Sequence, residues 1–162
     1  MKFILTREEV WLATVVGKLQ HRKALERGRC NTTEKGISHD DGEKYHVRGC
    51  KGEIAWARYL NVYWPFRIGA IDTGRGDLKL RSGLWAQVKT TDAGFETAIL
   101  HAPDSLIFLF AFISEPNAIE LRGWLHGDLI RTVGEFHAAD EKYHLSCYTV
   151  HQDYFRDIGL LP

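Results

Sequence analysis

Apolar and polar positions divide the chain into a helical first third and a strand-rich remainder. Residues Thr6 to Glu9 read TREE, a capping box with the acid three positions after the cap, and Leu12, Val15, Val16 and Leu19 then recur at helical spacing. A first helix is predicted from Thr6 to about Arg27. Residues 28–48 are polar, contain glycine and show no period, so a long loop is expected, of a length class that is usually functional or mobile. GCKGEIAWARYLN returns to helical spacing as a second helix. Strand patterns follow at 76–80, 84–91, 105–113 and 118–124, with short helices expected near 126–132 and 151–158. The class is mixed α and β. No repeat, low-complexity tract or linker interrupts the pattern, so residues 1–162 are expected to form one domain.

Chemistry enters with the second helix. Residues at 100° steps place Trp56, Leu60, Glu53, Ala57, Cys50 and Ile54 on one arc, with Glu53 near its centre. A carboxylate is thereby aimed at the core side, which is costly unless it is paired or coordinates a metal. Lys51 and Arg58 fall together on another face, where they can meet solvent or phosphate.

GDLKL, RSG and LWAQVKTT have the form of a hairpin whose short connection ends in glycine. With Leu80 opposite Leu84, Lys79 faces Trp85, Leu78 faces Ala86 and Asp77 faces Gln87. Alternation then puts Leu78, Leu80, Leu84, Ala86 and Val88 on an apolar face and Asp77, Lys79, Trp85, Gln87 and Lys89 on the other. Opposed Cβ atoms lie about 4.5 to 5.5 Å apart, so Asp77 and Gln87 can offer oxygens to one cation, with Lys89 one pleat further along. Asp72 is a spare carboxylate and the second choice for the strand acid.

These residues resemble the core of the PD-(D/E)XK nuclease superfamily: Glu53 on a helix, Asp77 opening a strand, and Gln87-Val88-Lys89 followed by Thr90-Thr91 on the next. The resemblance covers about residues 49–113 and is closest to small phage and bacterial members with a GxxGExAxxxYL helix and a QVKTT strand, here Gly49, Gly52, Glu53, Ala55, Tyr59 and Leu60. Two positions depart from the simplest pattern, since Gln87 stands where an acid is usual and Gly76 replaces the proline before Asp77. The resemblance implies a restriction-endonuclease-like α/β (α+β) fold, a mixed central sheet flanked by helices. It also implies a divalent-metal phosphodiesterase acting on nucleic acid, most of all DNA, with a homodimer expected by analogy where both strands are cut. Mg²⁺ or Mn²⁺ takes oxygen ligands, so Asp77 is the expected main ligand, Gln87 and the Val88 carbonyl neutral supports, and Glu53 a ligand directly or through water. Lys89 would orient the attacking water and offset charge at phosphorus. The alternative reading is a catalytically silent nuclease-fold module that binds nucleic acid or a protein partner.

Charge supports a polyanionic partner. The chain has net charge zero, yet residues 1–89 carry 17 Lys and Arg against 10 Asp and Glu, and the rest reverses the sign. Lys51, Arg58, Arg75, Lys79 and Arg81, with Thr90 and Thr91, are the expected nucleic-acid contacts. The apolar run Leu106–Ile113 is far short of the roughly 20 residues of a membrane helix, so no membrane partner and a cytoplasmic location are expected. Cys30, Cys50 and Cys147 read as free thiols. Cys30, His39, His46 and Cys50 match no standard zinc spacing.

Overall fold

The computed structural model describes residues 1–27, 39–68, 76–92, 96–99, 106–138 and 147–162, leaving the side chains of 39–41 and 96–98 outside the description. Strand β1 (Lys2–Ile4) leads into helix α1 (Arg7–Glu26). The capping box is present: Thr6 Oγ1 accepts from the Glu9 N–H at 3.2 Å and the Glu9 carboxylate accepts from the Thr6 N–H at 2.8 Å.

Helix α2 spans His39–Leu60, which corrects the loop expected over 28–48. Residues 39–48 are helical, and 28–38 lie outside the described residues. Their inner face is built for close approach to α1 rather than for aliphatic packing. A Cβ on Gly42 would stand 2.6 Å from the His21 ring, and one on Gly17 2.6 Å from the Val47 Cα. Small residues and histidine against a neighbouring helix leave no hydrophobic period to read.

The remaining elements are β2 (Leu78–Lys79), β3 (Trp85–Thr91), β4 (Glu96–Ile99), β5 (Ile107–Glu115), β6 (Ala118–His126), α3 (Gly127–Val133), β7 (Glu135–His137) and β8 (Cys147–His151). They form a five-stranded sheet ordered β1-β6-β5-β3-β2 and a three-stranded sheet ordered β4-β8-β7. In the larger sheet β3 and β5 run parallel and the other pairs antiparallel. The helix expected over 151–158 is instead two 3₁₀ turns, Gln152–Tyr154 and Ile158–Leu160. Arg156, between them, exchanges backbone hydrogen bonds with Trp124 and is thereby held extended.

The larger sheet is covered on both faces. Ala86, Val88, Leu109 and Leu121 pack with α1 and α2, whereas Phe108, Phe110 and Leu125 pack with Ile130 of α3, Ile99 and Val150. Each such large side chain contributes roughly 1.5 to 3 kcal/mol by leaving water. Burial on both faces explains why β5 reads as a continuous apolar run. The chain is therefore a mixed α+β fold, and among the described residues no helix is long and apolar enough to cross a membrane.

Candidate active site

Cys50, Ile54, Trp56 and Ala57 of the predicted arc are buried, and Glu53 stands among them. Its Oε2 accepts from the Trp64 indole N–H at 2.6 Å. Trp64 reaches back because the chain reverses after α2: Asn61 adopts φ 50° and the Val62 N–H donates to the Ala57 carbonyl at 3.0 Å. Asparagine is among the residues that tolerate this left-handed position at a helix end.

Asp77, whose charge acts on Glu53, is held against β3 in an arrangement that differs from the predicted pairing. Leu78 opposes Ala86 and Lys79 opposes Trp85, as alternation requires. Asp77, however, does not oppose Gln87. Its N–H donates to the Ala86 carbonyl at 2.7 Å, so two successive residues engage Ala86, the arrangement of a β-bulge. Gly76 makes this possible, with φ +72° and a Cα so near β3 that a Cβ would lie 2.7 Å from the Ala86 oxygen. The shift turns the Asp77 carboxylate into the plane of the sheet, where Oδ2 accepts from the Val88 N–H at 2.7 Å.

Asp77 thus lies at the edge of β3, between its two faces. Val88 and Thr90 point toward α2, while Trp85, Gln87, Lys89 and Thr91 alternate to the other side. Leu84, predicted on the buried face, is 40% exposed at the turn. Glu53 approaches from the helical side. Burial, and then the Asp77 carboxylate, raise the Glu53 pKa above the ordinary range, opposed by the Trp64 hydrogen bond and the Arg67 charge. Burial and the same two carboxylates push the Cys50 thiol up, so it stays protonated.

The basic residues divide. Lys51 donates to the Pro116 carbonyl at 2.6 Å, and Arg58 donates to Glu9 at 2.9 Å and to the Ile4 carbonyl at 3.2 Å. Both are tied to neighbouring elements. The Thr90 hydroxyl is buried under α2 at Gly52, where a Cβ would be 2.0 Å away. Lys79 and Arg81 are exposed on the hairpin, and Thr91 is half-buried. Arg75 and Asp72 lie outside the described residues.

Sequence reasoning missed Trp64 and Arg67. The Arg67 guanidinium lies 5.0 Å above the Trp85 ring, its carbonyl accepts from Gln20 Nε2 at 3.0 Å, and its charge reaches Glu53. The signal was the run YWPFR directly after the helix that carries the acid.

Among the described residues no group of three or more His, Cys, Asp and Glu side chains gathers into a metal site. The donors that do gather suit a hard cation: two carboxylates whose like charges raise the cost of ionisation, and oxygen rather than sulfur or nitrogen ligands. Compared with known proteins, the chain matches no family model and no curated sequence.

Proposed function

We propose that the chain is a divalent-metal-dependent nuclease that hydrolyses phosphodiester bonds in nucleic acid, DNA above all, on a restriction-endonuclease-like core. The carrying observation is the buried Glu53 carboxylate, held by the Trp64 indole, whose ionisation burial and the Asp77 charge disfavour, with Asp77 itself held by the Val88 N–H at the edge of β3. Two like charges crowded in a sheltered place are explained by a cation between them, at a site where anionic substrate also arrives. Glu53 and Asp77 would hold Mg²⁺ or Mn²⁺, with the Val88 carbonyl as a neutral oxygen donor at the strand edge; Gln87, which alternates to the face away from α2, would have to reach that edge from the other side to add its amide oxygen. When bound, the metal supplies polarisation of the phosphate and a lowered pKa for the attacking water.

The chain's own groups do the rest. The Val88 N–H and the Trp64 indole each satisfy one carboxylate oxygen, fixing the two acids in orientation. Lys89 offers ammonium donors to a phosphate oxygen or to water and offsets charge that develops at phosphorus.

The test is cleavage of duplex, branched and single-stranded DNA, and of RNA, with Mg²⁺, Mn²⁺ or EDTA. Asp77→Ala should lower cleavage on the order of 10²-fold or more, and Lys89→Ala should do likewise while leaving Mn²⁺ binding intact. Absence of metal-dependent cleavage on every substrate would replace the enzyme reading with a binding module.

A further inference from the structure

Residues 61–68 form a strap after α2 that reaches Glu53 through Trp64 and Trp85 through Arg67, and it carries two exposed aromatic rings. Tyr63 is 75% exposed and Phe66 43% exposed, with ring centroids 6.5 Å apart. Trp64, between them, is buried and donates to Glu53, and the Phe66 ring lies tilted against it with centroids 5.8 Å apart. The strap is thus pinned at Glu53 by its middle aromatic, while Tyr63 and the part of Phe66 not covered by Trp64 stay exposed. Phe66 has φ 25°, a conformation that bulky side chains rarely adopt, and such outliers cluster at binding sites. Arg67 follows at once, its backbone held by Gln20 and its guanidinium over Trp85. Arg81 lies at the other end, beside Asn61 and Val62 in a cleft of about 430 Å³.

We propose that Tyr63 and Phe66 form a stacking platform for unpaired bases of a nucleic-acid strand, with Arg67 and Arg81 placed for its phosphates. Exposed rings flanked by cations match the chemistry of a single strand, whose bases offer free π-faces and whose backbone is anionic. Paired bases keep their faces inside the stack, so this surface favours single-stranded or locally opened substrate over intact duplex. The inference rests on the nuclease reading for what the strand is delivered to, but its own test is binding.

Anisotropy of a fluorescein-labelled oligothymidylate and of a hairpin duplex of equal length, in EDTA, separates the two readings. The wild-type chain should bind the oligothymidylate more tightly. Tyr63→Ala and Phe66→Ala should each weaken that binding about 5- to 100-fold, with duplex binding unchanged. Tyr63→Phe and Phe66→Tyr, which keep the rings, should retain it. Equal wild-type affinity for strand and duplex, or alanine variants that bind oligothymidylate normally, would overturn the platform. Should that happen while Mg²⁺-dependent cleavage persists, the nuclease reading stands without it. Ring-dependent binding with no cleavage under any metal would support the platform and defeat the nuclease reading.

Discussion

At the residue scale, the proposed chemistry turns on a buried carboxylate, Glu53, that feels the charge of Asp77. Glu53 has its pKa raised from 4.5 to about 7 by burial and by Asp77, which fixes the sign of a pH effect. Between those values the folded chain holds a proton that the unfolded chain releases, so stability falls as pH rises through the window. The contribution is fully present below about pH 4.5 and gone above about pH 7. Thermal melts of the metal-free protein should show Tm dropping between pH 5 and pH 8, by on the order of 5 °C from this group. Glu53→Gln, which cannot ionise, should remove that part of the drop while keeping an acceptor for Trp64. Mg²⁺ should lessen the drop in the wild type, because a cation that binds the ionised pair stabilises the folded state. A drop of equal size in Glu53→Gln would assign the pH dependence to other groups.

At the element scale, α2 and β3 must lie close enough for Glu53 to reach the strand edge, and Gly52 sets that distance. A Cβ there would meet Thr90 Oγ1 at 2.0 Å and Thr90 Cβ at 3.1 Å. Threonine is stiff about χ1, so Gly52→Ala should push the helix off the strand and cost about 1 to 3 kcal/mol, outweighing the gain in helix propensity. Denaturant melts should show this loss, and adding Thr90→Ala should recover much of it. Full stability of Gly52→Ala would mean that the helix can retreat freely. The same two elements show what is legible in the sequence. Alternation gives the Leu78–Ala86 and Lys79–Trp85 pairs because one face of the hairpin is buried. It fails at Asp77 because the bulge is imposed by the backbone of Gly76, and periodicity does not register a local two-against-one pairing. The helical arc locates Glu53, since burial follows the period. It is silent on Trp64 and Arg67, which depend on a chain reversal after the helix. The polar start of α2 is hidden for a related reason: its partner is a helix that needs small residues, not a sheet that needs large ones.

At the scale of the whole molecule, the opposite charges of the two halves have two uses. Some pair across the fold: Lys2 bonds Glu115 at 2.7 Å, Arg48 pairs with Asp92, and Lys51 reaches the Pro116 carbonyl. Arg58 is held by Glu9 within the basic half. These contacts give Lys51 and Arg58 partners within the chain, on the helical face where the sequence places them together. Among the described residues, Arg67 lies above Trp85, and Lys79 and Arg81 are exposed on the hairpin. Few cations imply a modest counterion release, so the log–log dependence of nucleic-acid affinity on salt should have a slope of about −2 to −3. Arg67→Gln with Arg81→Gln should flatten that slope by roughly one to two units, since each phosphate contact carries about 0.7 to 0.9. Lys51→Gln with Arg58→Gln should leave it unchanged in protein verified as folded by circular dichroism, because those side chains already bond within the chain. Anisotropy titrations from low to moderate salt measure all three slopes. The opposite ranking, with the Lys51 and Arg58 pair controlling the slope and the Arg67 and Arg81 pair neutral, would move the anion-binding face to the outer side of α2 and away from Glu53 and Asp77.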